Sequence, residues 1–384
     1  MTTPEPVRCA RPAFTGVPEI LKDVEAVLRS GRLMMGPFLQ AFESEFAAFV
    51  GTKHAVALSS CTAALETVLR RLELGGREVV VPTNTFIASG NAVLYAGGTL
   101  VLADTDPASL QLSAAELRRR LTPRTAAVLL VHLGGAVSPD LDEIAALCRE
   151  RGVVLVEDCA HAHGAAFKGR RAGSLGLAGC FSFYPTKIMT TGSGGMLTTD
   201  DDGLAEYARS LRLHGRGEGR RGGLDAIENL GNDWFLDEVR CVLGVHQLRG
   251  LPAALAARRR VAAAYGRLLA SVPGVSPVDP GASCEPSFYK YMVLLPPGTD
   301  LADVSRRMLE AGVETEQLYW PPCHLQPVYQ RLLKTRAGDF PQAEASLGRQ
   351  LCLPLHPGVS DDDARRAVDA LRSALAAPKA SGAR

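Results

Sequence analysis

The sequence predicts an α/β protein: a mostly parallel sheet covered by helices on both faces, followed by a smaller α+β unit. Three observations carry this. Short apolar runs alternate with amphipathic stretches through the first two-thirds of the chain. Those runs lack the polar alternation of half-exposed strands, so both faces of the sheet are buried. After about Gly231 the alternation gives way to one long helical stretch and then a mixed segment. The division expected from this is a large unit over residues 1–250 and a small one over 251–384.

In order along the chain, "HAVALSS" (His54 to Ser60) reads as a buried strand. In "CTAALETVLRRL" behind it, Leu65, Val68, Leu69 and Leu72 share one helical face. "EVVVP", a helix-like "FIASGNAVLYAGG" closed by a Gly pair, and the strand "TLVLAD" follow. Ser113 and Glu116 have the spacing of a capping box for "SAAELRRRL". "TAAVLLVHL", "DLDEIAALCRERG" and "VVLVED" extend the alternation. The helical stretch from Asp237 towards Val272 is expected to break at Pro252. "YKYMVLLPP", "LADVSRRMLEAG" and "CLPLHPGVSDDDARRAVDALRSAL" compose the α+β unit, and the tail "APKASGAR" is expected to be disordered.

Composition narrows the function classes. With 42 basic and 41 acidic residues the net charge is +1, which argues against nucleic acid or an acidic surface as the main partner. The triplets Arg118 to Arg120 and Arg258 to Arg260 read as solvated helix faces. Nine scattered cysteines without a CxxC pair read as reduced thiols of a cytoplasmic protein. The start "MTTPEPVRCARPAF" has no apolar core of a signal peptide, and no stretch reaches the length of a membrane span.

Ligands of doubly wound sheets bind beyond the carboxyl ends of the strands, and the candidate chemistry falls there. In "VVLVEDCAHAHGA", Asp158 ends a strand and His161 and His163 follow. Three readings stand open: a helix cap with packed histidines, a zinc site with His-x-His ligands, or a carboxylate facing a cationic ring nitrogen. In "SSCTAAL" a strand runs into a helix whose free first-turn N–H groups suit a phosphate. Phe86 is either a core aromatic or a ring that stacks on a flat ligand, and the Ser182 hydroxyl lies at another strand end. Lys187, in "FSFYPTKIMTTGSGGM", is either a solvated loop charge or a Schiff-base nucleophile beside a glycine-rich loop. Phosphate cradle, stacking ring, pyridinium partner and amine, taken together, specify pyridoxal 5′-phosphate (PLP), with no metal.

These segments resemble the DegT/DnrJ/EryC1/StrS aminotransferases, a sugar aminotransferase family. The resemblance is carried by "SGRLMMGPFLQAFESEFAAFVGTKHAVALSSCTAAL", "VVVPTNTFIASGNAVLYAGG", "VEDCAHAHGA", "FSFYPTKIMTTGSGGM", "LDEVRCVLGVHQL", "PPCHLQPVY" and "LPLHPGVSDDD", in the family's order. It implies a fold-type-I PLP-dependent transferase with a seven-stranded-type sheet, a homodimer with active sites at the subunit interface, and L-glutamate as amino donor. Carried over by position, Lys187 matches the cofactor-bound lysine, Asp158 the pyridine-nitrogen partner and His161 the neighbour of the phenolic oxygen. Cys61, Thr62 and Ser182 match the phosphate contacts, and Phe86 the stacking aromatic. Tyr319 and His324, in "LYWPPCHLQP", match acceptor-side positions or are packed loop residues.

Three departures bear on the acceptor. "GNDWFL" places Asp233 where the family has an asparagine that reaches the partner's phosphate, and Phe235 where it has arginine. Ser193 stands in place of the acid before the Gly pair. Gly134 and Gly135 replace an aromatic after "VHL", which is expected to leave more room near the site. The expected activity is ping-pong transamination from glutamate to a nucleotide-linked keto-deoxysugar. A keto-cyclitol resembling scyllo-inosose or a nucleotide-free keto-sugar is the alternative acceptor. A non-catalytic PLP-binding regulatory protein, or a zinc hydrolase on Asp158, His161 and His163, is the alternative class.

Overall fold

The computed structural model describes residues 5–217 and 226–376; the tail "APKASGAR" lies outside the described residues. Two helices, α1 (Val17–Ser30) and α2 (Pro37–Val50), precede β1 (His54–Leu58). Alternation then runs through α3 (Cys61–Arg71), β2 (Glu78–Pro82), α4 (Ile87–Tyr95), β3 (Thr99–Ala103), α5 (Ala114–Arg120), β4 (Thr125–Val131), α6 (Leu141–Arg151) and β5 (Val154–Asp158). Two short strands, β6 (Ala166–Phe167) and β7 (Arg170–Arg171), lead to β8 (Ala178–Ser182), β9 (Gly195–Thr199) and α7 (Asp202–Leu211). The seven-stranded sheet has the order β1-β9-β8-β5-β4-β2-β3. Within it β9 runs antiparallel to both neighbours and the other pairings are parallel.

Apolar runs that lack alternation bury both sheet faces, as the sequence predicts. One face packs Val80, Val128 and Leu130 against Phe42 and Phe46 of α2. The other packs Val79, Val81 and Leu129 against Leu65, Val68 and Leu69 of α3.

The helix α8 (Glu238–Leu269) passes through Pro252 without interruption, contrary to the expected break. Its first half buries Leu248, Leu251 and Leu255 in the sheet's core. Its second half buries Val261, Tyr265 and Leu269 in a separate core. Packing at both ends outweighs the ~3 kcal/mol that an interior proline costs a helix. A division at residue 250/251 therefore falls inside this helix. The second core is completed by β12 (Tyr291–Leu294), α9 (Leu301–Glu310), β13 (Gln350–Leu353) and α12 (Asp361–Ala376), with β10 (Ser276–Pro277) paired to β12; β11 (Cys284–Glu285) pairs with β6, and α10 (Pro327–Leu333) and α11 (Pro341–Leu347) pack on the sheet unit.

Other local expectations are corrected. Ser113 Oγ accepts the Glu116 N–H at 3.2 Å, but Glu116 turns its carboxylate to the Asp104 N–H and to Arg119 and Arg120. Half of the capping box forms. Arg258 is not solvated: it is buried and donates to the carbonyls of Phe288 (3.1 Å) and Leu355 (2.9 Å). Burial pushes its guanidinium down to about 10. No helix among the described residues is long and apolar enough to cross a membrane.

One buried carboxylate holds the loop that feeds β8. Glu157 accepts the N–H groups of Gly173 (2.8 Å), Leu175 (2.7 Å) and Gly176 (3.0 Å), and pairs with His132 at 2.8 Å. Glu157→Gln replaces one acceptor oxygen by a donor facing N–H groups. It is expected to lower stability by about 3 kcal/mol, read as a lower urea midpoint at unchanged slope.

Candidate active site

The carboxyl ends of β1, β2, β5 and β8 open into one cavity of about 470 Å³. Cys61, Thr62, Phe86, Asp158, His161, Ser182, Lys187 and Tyr319 all line it, as does Ser193. Eight of the ten residues singled out from the sequence thus meet in space. Asp233 lies outside it, exposed, with its backbone bridged to Leu213. His324 is also outside. It is fully buried, with Nδ1 2.8 Å from Thr83 Oγ1 and Nε2 3.0 Å from Glu344 Oε1, so neither ring nitrogen is left for an acceptor.

Each wall follows from local structure. Strand β1 ends in Ser60, whose hydroxyl accepts the Ala63 N–H at 3.1 Å and starts α3. The N–H groups of Cys61 and Thr62 have no partner within the described chain and face the cavity's end of the helix. Gly195 of β9 lies so close that a Cβ there would meet the Ser60 carbonyl carbon at 2.2 Å. Only glycine lets β9 press the turn into place.

Asp158, 6% exposed, ends β5. Its Oδ1 accepts the Ala160 N–H at 3.1 Å and its Oδ2 the Ser89 hydroxyl at 2.7 Å. Lys187 follows β8, and its Nζ lies 4.8 Å from the centre of the Tyr289 ring. No ion pair or hydrogen bond engages that amine among the described residues. Phe86, 57% exposed, stands at the mouth with its ring 6.1 Å from that of Tyr319.

His161 is stacked on Tyr289 at 4.2 Å, and its Nδ1 accepts the Gly134 N–H at 3.3 Å. Burial, and then the charges of Lys187 and Lys290, hold it well below the usual histidine range, so the ring is neutral. With Nδ1 occupied as an acceptor, the proton sits on Nε2 and is donated to Tyr319 Oη at 2.8 Å. Tyr319 adopts φ 55°, a conformation aromatic residues rarely take, held by this bond and by Phe86.

His163 is elsewhere. It packs 5.4 Å from Phe181 and 5.8 Å from Phe183, and burial pushes it down to about 3. The zinc ligand set of Asp158, His161 and His163 therefore does not assemble. The buried trio His132, Glu157 and Cys159 comes close enough for a metal, but Glu157 already accepts three N–H groups and the His132 ring.

Gly134 and Gly135 leave no extra room. A Cβ on Gly134 would meet Met292 Cε at 2.4 Å, and one on Gly135 would meet Ser287 Oγ at 2.3 Å. Ser287, before β12, and Met292, within it, fill the volume an aromatic would take. Phe235 is buried beneath the Arg212 guanidinium, 5.3 Å from its ring centre. Sequence reasoning missed Ser89 and Tyr289 as cavity residues. Ser89 had a signal, a hydroxyl one turn into the helix after Phe86; Tyr289 had none, because it arrives from a distant segment.

Free N–H groups and a hydroxyl for a phosphate, a buried carboxylate for a ring nitrogen and an unengaged amine for an aldehyde are the donor set PLP needs, and the residues fit it. Fold and site together define the class, a PLP-dependent transaminase. The chain belongs to the DegT/DnrJ/EryC1/StrS aminotransferase family, whose model matches residues 15–372. It is 37% identical over 367 residues to the spore coat polysaccharide biosynthesis protein SpsC of Bacillus subtilis, covering 92% of this chain and 94% of that protein. It is 35% identical to the dTDP-4-dehydro-2,3,6-trideoxy-D-glucose 4-aminotransferase of Saccharopolyspora spinosa, over 93% and 94% of the two chains. The crystal structure of the aminotransferase TlmJ from Streptoalloteichus hindustanus superposes with TM-score 0.88 at 36% identity, covering 96% of this chain and 99% of that one.

Proposed function

We propose that this chain moves an amino group from L-glutamate to a nucleotide-linked keto-deoxysugar, with donor and acceptor using the one cavity in turn. The observation that carries the reading is the unengaged Lys187 amine in the same cavity as the buried Asp158 carboxylate. The Saccharopolyspora relative, by its name a transaminase of a dTDP-linked keto-sugar, supports the acceptor class. The filled space at Gly134 and Gly135 removes one of the three reasons to favour a different acceptor.

In this reading the N–H groups of Cys61 and Thr62 and the Ser182 hydroxyl hold the cofactor phosphate, and Phe86 covers the ring. PLP, when bound, supplies an aldehyde that takes up the amino group and a ring that draws electrons from the reacting carbon. Asp158 keeps the ring nitrogen protonated, because opposite charges at short range favour both ionised forms. Neutral His161, fixed by Gly134 and Tyr319, offers its ring beside the phenolic oxygen. Lys187 Nζ removes the proton from the donor's α-carbon and later returns one to the acceptor carbon.

A cytoplasmic homodimer is part of the proposal. Leu21 and Leu28 of α1 and the run Leu33, Met34 and Met35 are exposed and would be covered by a second copy.

The test is a pair of half-reactions. PLP-loaded protein given L-glutamate should release one equivalent of 2-oxoglutarate and lose its visible absorption. Adding a dTDP-linked 4-keto-deoxysugar should restore it. Restoration by scyllo-inosose alone would move the acceptor to the cyclitols; PLP binding without any glutamate reaction would sink the enzyme reading in favour of a regulatory protein.

A further inference from the structure

We propose that Thr85 and Ser89 form a directed hydroxyl relay that holds Asp158 in register with the cofactor's ring nitrogen, which makes Ser89 a positioning residue for PLP. The inference rests on the cofactor reading above.

The direction of the relay follows from its end. A carboxylate only accepts, so in the 2.7 Å bond between Ser89 Oγ and Asp158 Oδ2 the serine donates. Ser89 Oγ then has lone pairs but no proton for its other bond, 2.7 Å from Thr85 Oγ1, so Thr85 is the donor there. Ser89 cannot turn its hydroxyl to another role without abandoning Asp158, nor Thr85 without abandoning Ser89. Both residues are buried, Thr85 at 3% and Ser89 at 0% exposure. The backbone around them is also tied. The Ser89 N–H donates to the Phe86 carbonyl at 3.1 Å, and the Cys323 thiol donates to the Thr85 carbonyl at 3.1 Å.

The remaining contacts of Asp158 make Ser89 decisive. Oδ1 has the Ala160 N–H at 3.1 Å and a Cys61 sulfur at 3.9 Å, which gives its thiol to the Cys180 carbonyl at 3.3 Å. Oδ2 has Ser89 and no other donor among the described residues. A hydrogen bond to a carboxylate has two opposing effects on a cation it faces. It lowers the carboxylate's basicity, and it fixes the group's orientation while making its charge tolerable out of water. The second dominates here, because a buried carboxylate stripped of donors is costly to keep charged and free to turn away. Around metal ligands, support of this kind is worth about 10-fold to 100-fold in affinity, and the expected effect here is set at the lower end of that range.

The test uses cofactor-free full-length protein and two probes: PLP, and 1-deazapyridoxal 5′-phosphate, which has a C–H in place of the ring nitrogen. Dissociation constants come from quenching of intrinsic fluorescence. Ser89→Ala should weaken PLP about 10-fold or more while weakening the deaza analogue less than about 3-fold. Ser89→Thr, which keeps the hydroxyl, should bring PLP back to within about 3-fold of the parent. Thr85→Val, which leaves Ser89 and Asp158 in place, should shift PLP in the same direction by a smaller factor, and it carries the comparison should Ser89→Ala not fold. Equal weakening of both probes, or an unchanged PLP constant, would overturn the relay. Failure of the parent protein to bind PLP would instead overturn the cofactor reading.

Discussion

Replacing Lys187 by alanine is expected to slow release of 2-oxoglutarate from L-glutamate by at least ~10³-fold, the scale of a lost acid–base catalyst. Among the described residues no other lysine lines the cavity. Lys290, the other lysine against Tyr289, is buried and bonded to Glu316, with its charge favoured by that partner. Lys187 Nζ lies over the Tyr289 ring and has no ion pair or hydrogen bond among the described residues, so it is free to reach a ligand. Added methylamine should restore part of the rate, because a small amine can occupy the space the side chain leaves. Single-turnover kinetics in rapid mixing would read both effects. Full turnover by the alanine variant would show that the lysine is a solvated loop charge after all.

The second large effect is expected from Asp158→Asn. Asparagine matches aspartate in shape; its one acceptor oxygen can keep the Ala160 N–H, while its NH2 faces Ser89, whose hydroxyl then turns to accept, so the fold should be kept. What disappears is the negative charge beneath the ring nitrogen. Loss of one preorganised electrostatic contact of this kind lowers turnover by about 10²–10³, and PLP affinity should fall with it. Measuring kcat and the PLP dissociation constant on one preparation separates the two. Turnover by the Asp158→Asn variant within about threefold of the parent would mean that no ring charge is used.

Legibility in the sequence followed the range of the forces involved. Sheet strands were visible because burial on both faces writes continuous apolar runs, as in "EVVVP" and "VVLVED". Residues at or shortly after the ends of those runs, Cys61, Asp158, Ser182 and Lys187, take their position from the strands and could be placed together without coordinates. What failed depended on packing from far along the chain. Burial of Arg258 comes from the carbonyls of Phe288 and Leu355, and that of His324 from Thr83 and Glu344. The expected space at Gly134 was taken by Met292, which arrives from the far side of α8, a displacement no local pattern announces. Helix α8 survived Pro252 because two cores hold it, while propensity speaks only for its own turn.

The cavity is assembled from two parts of the chain with different freedoms. Its floor comes from strand ends and the turns and helix starts that follow them, between Ser60 and Gly194, seated on the ladder of the seven-stranded sheet. Its roof comes from Tyr289, Leu318 and Tyr319, carried on connections beyond α8. Substitutions in the roof can alter which molecules enter while the floor keeps its geometry. Such a separation allows descendants to change diet without relearning the chemistry, and it locates the positions where redesign of the accepted substrate should begin.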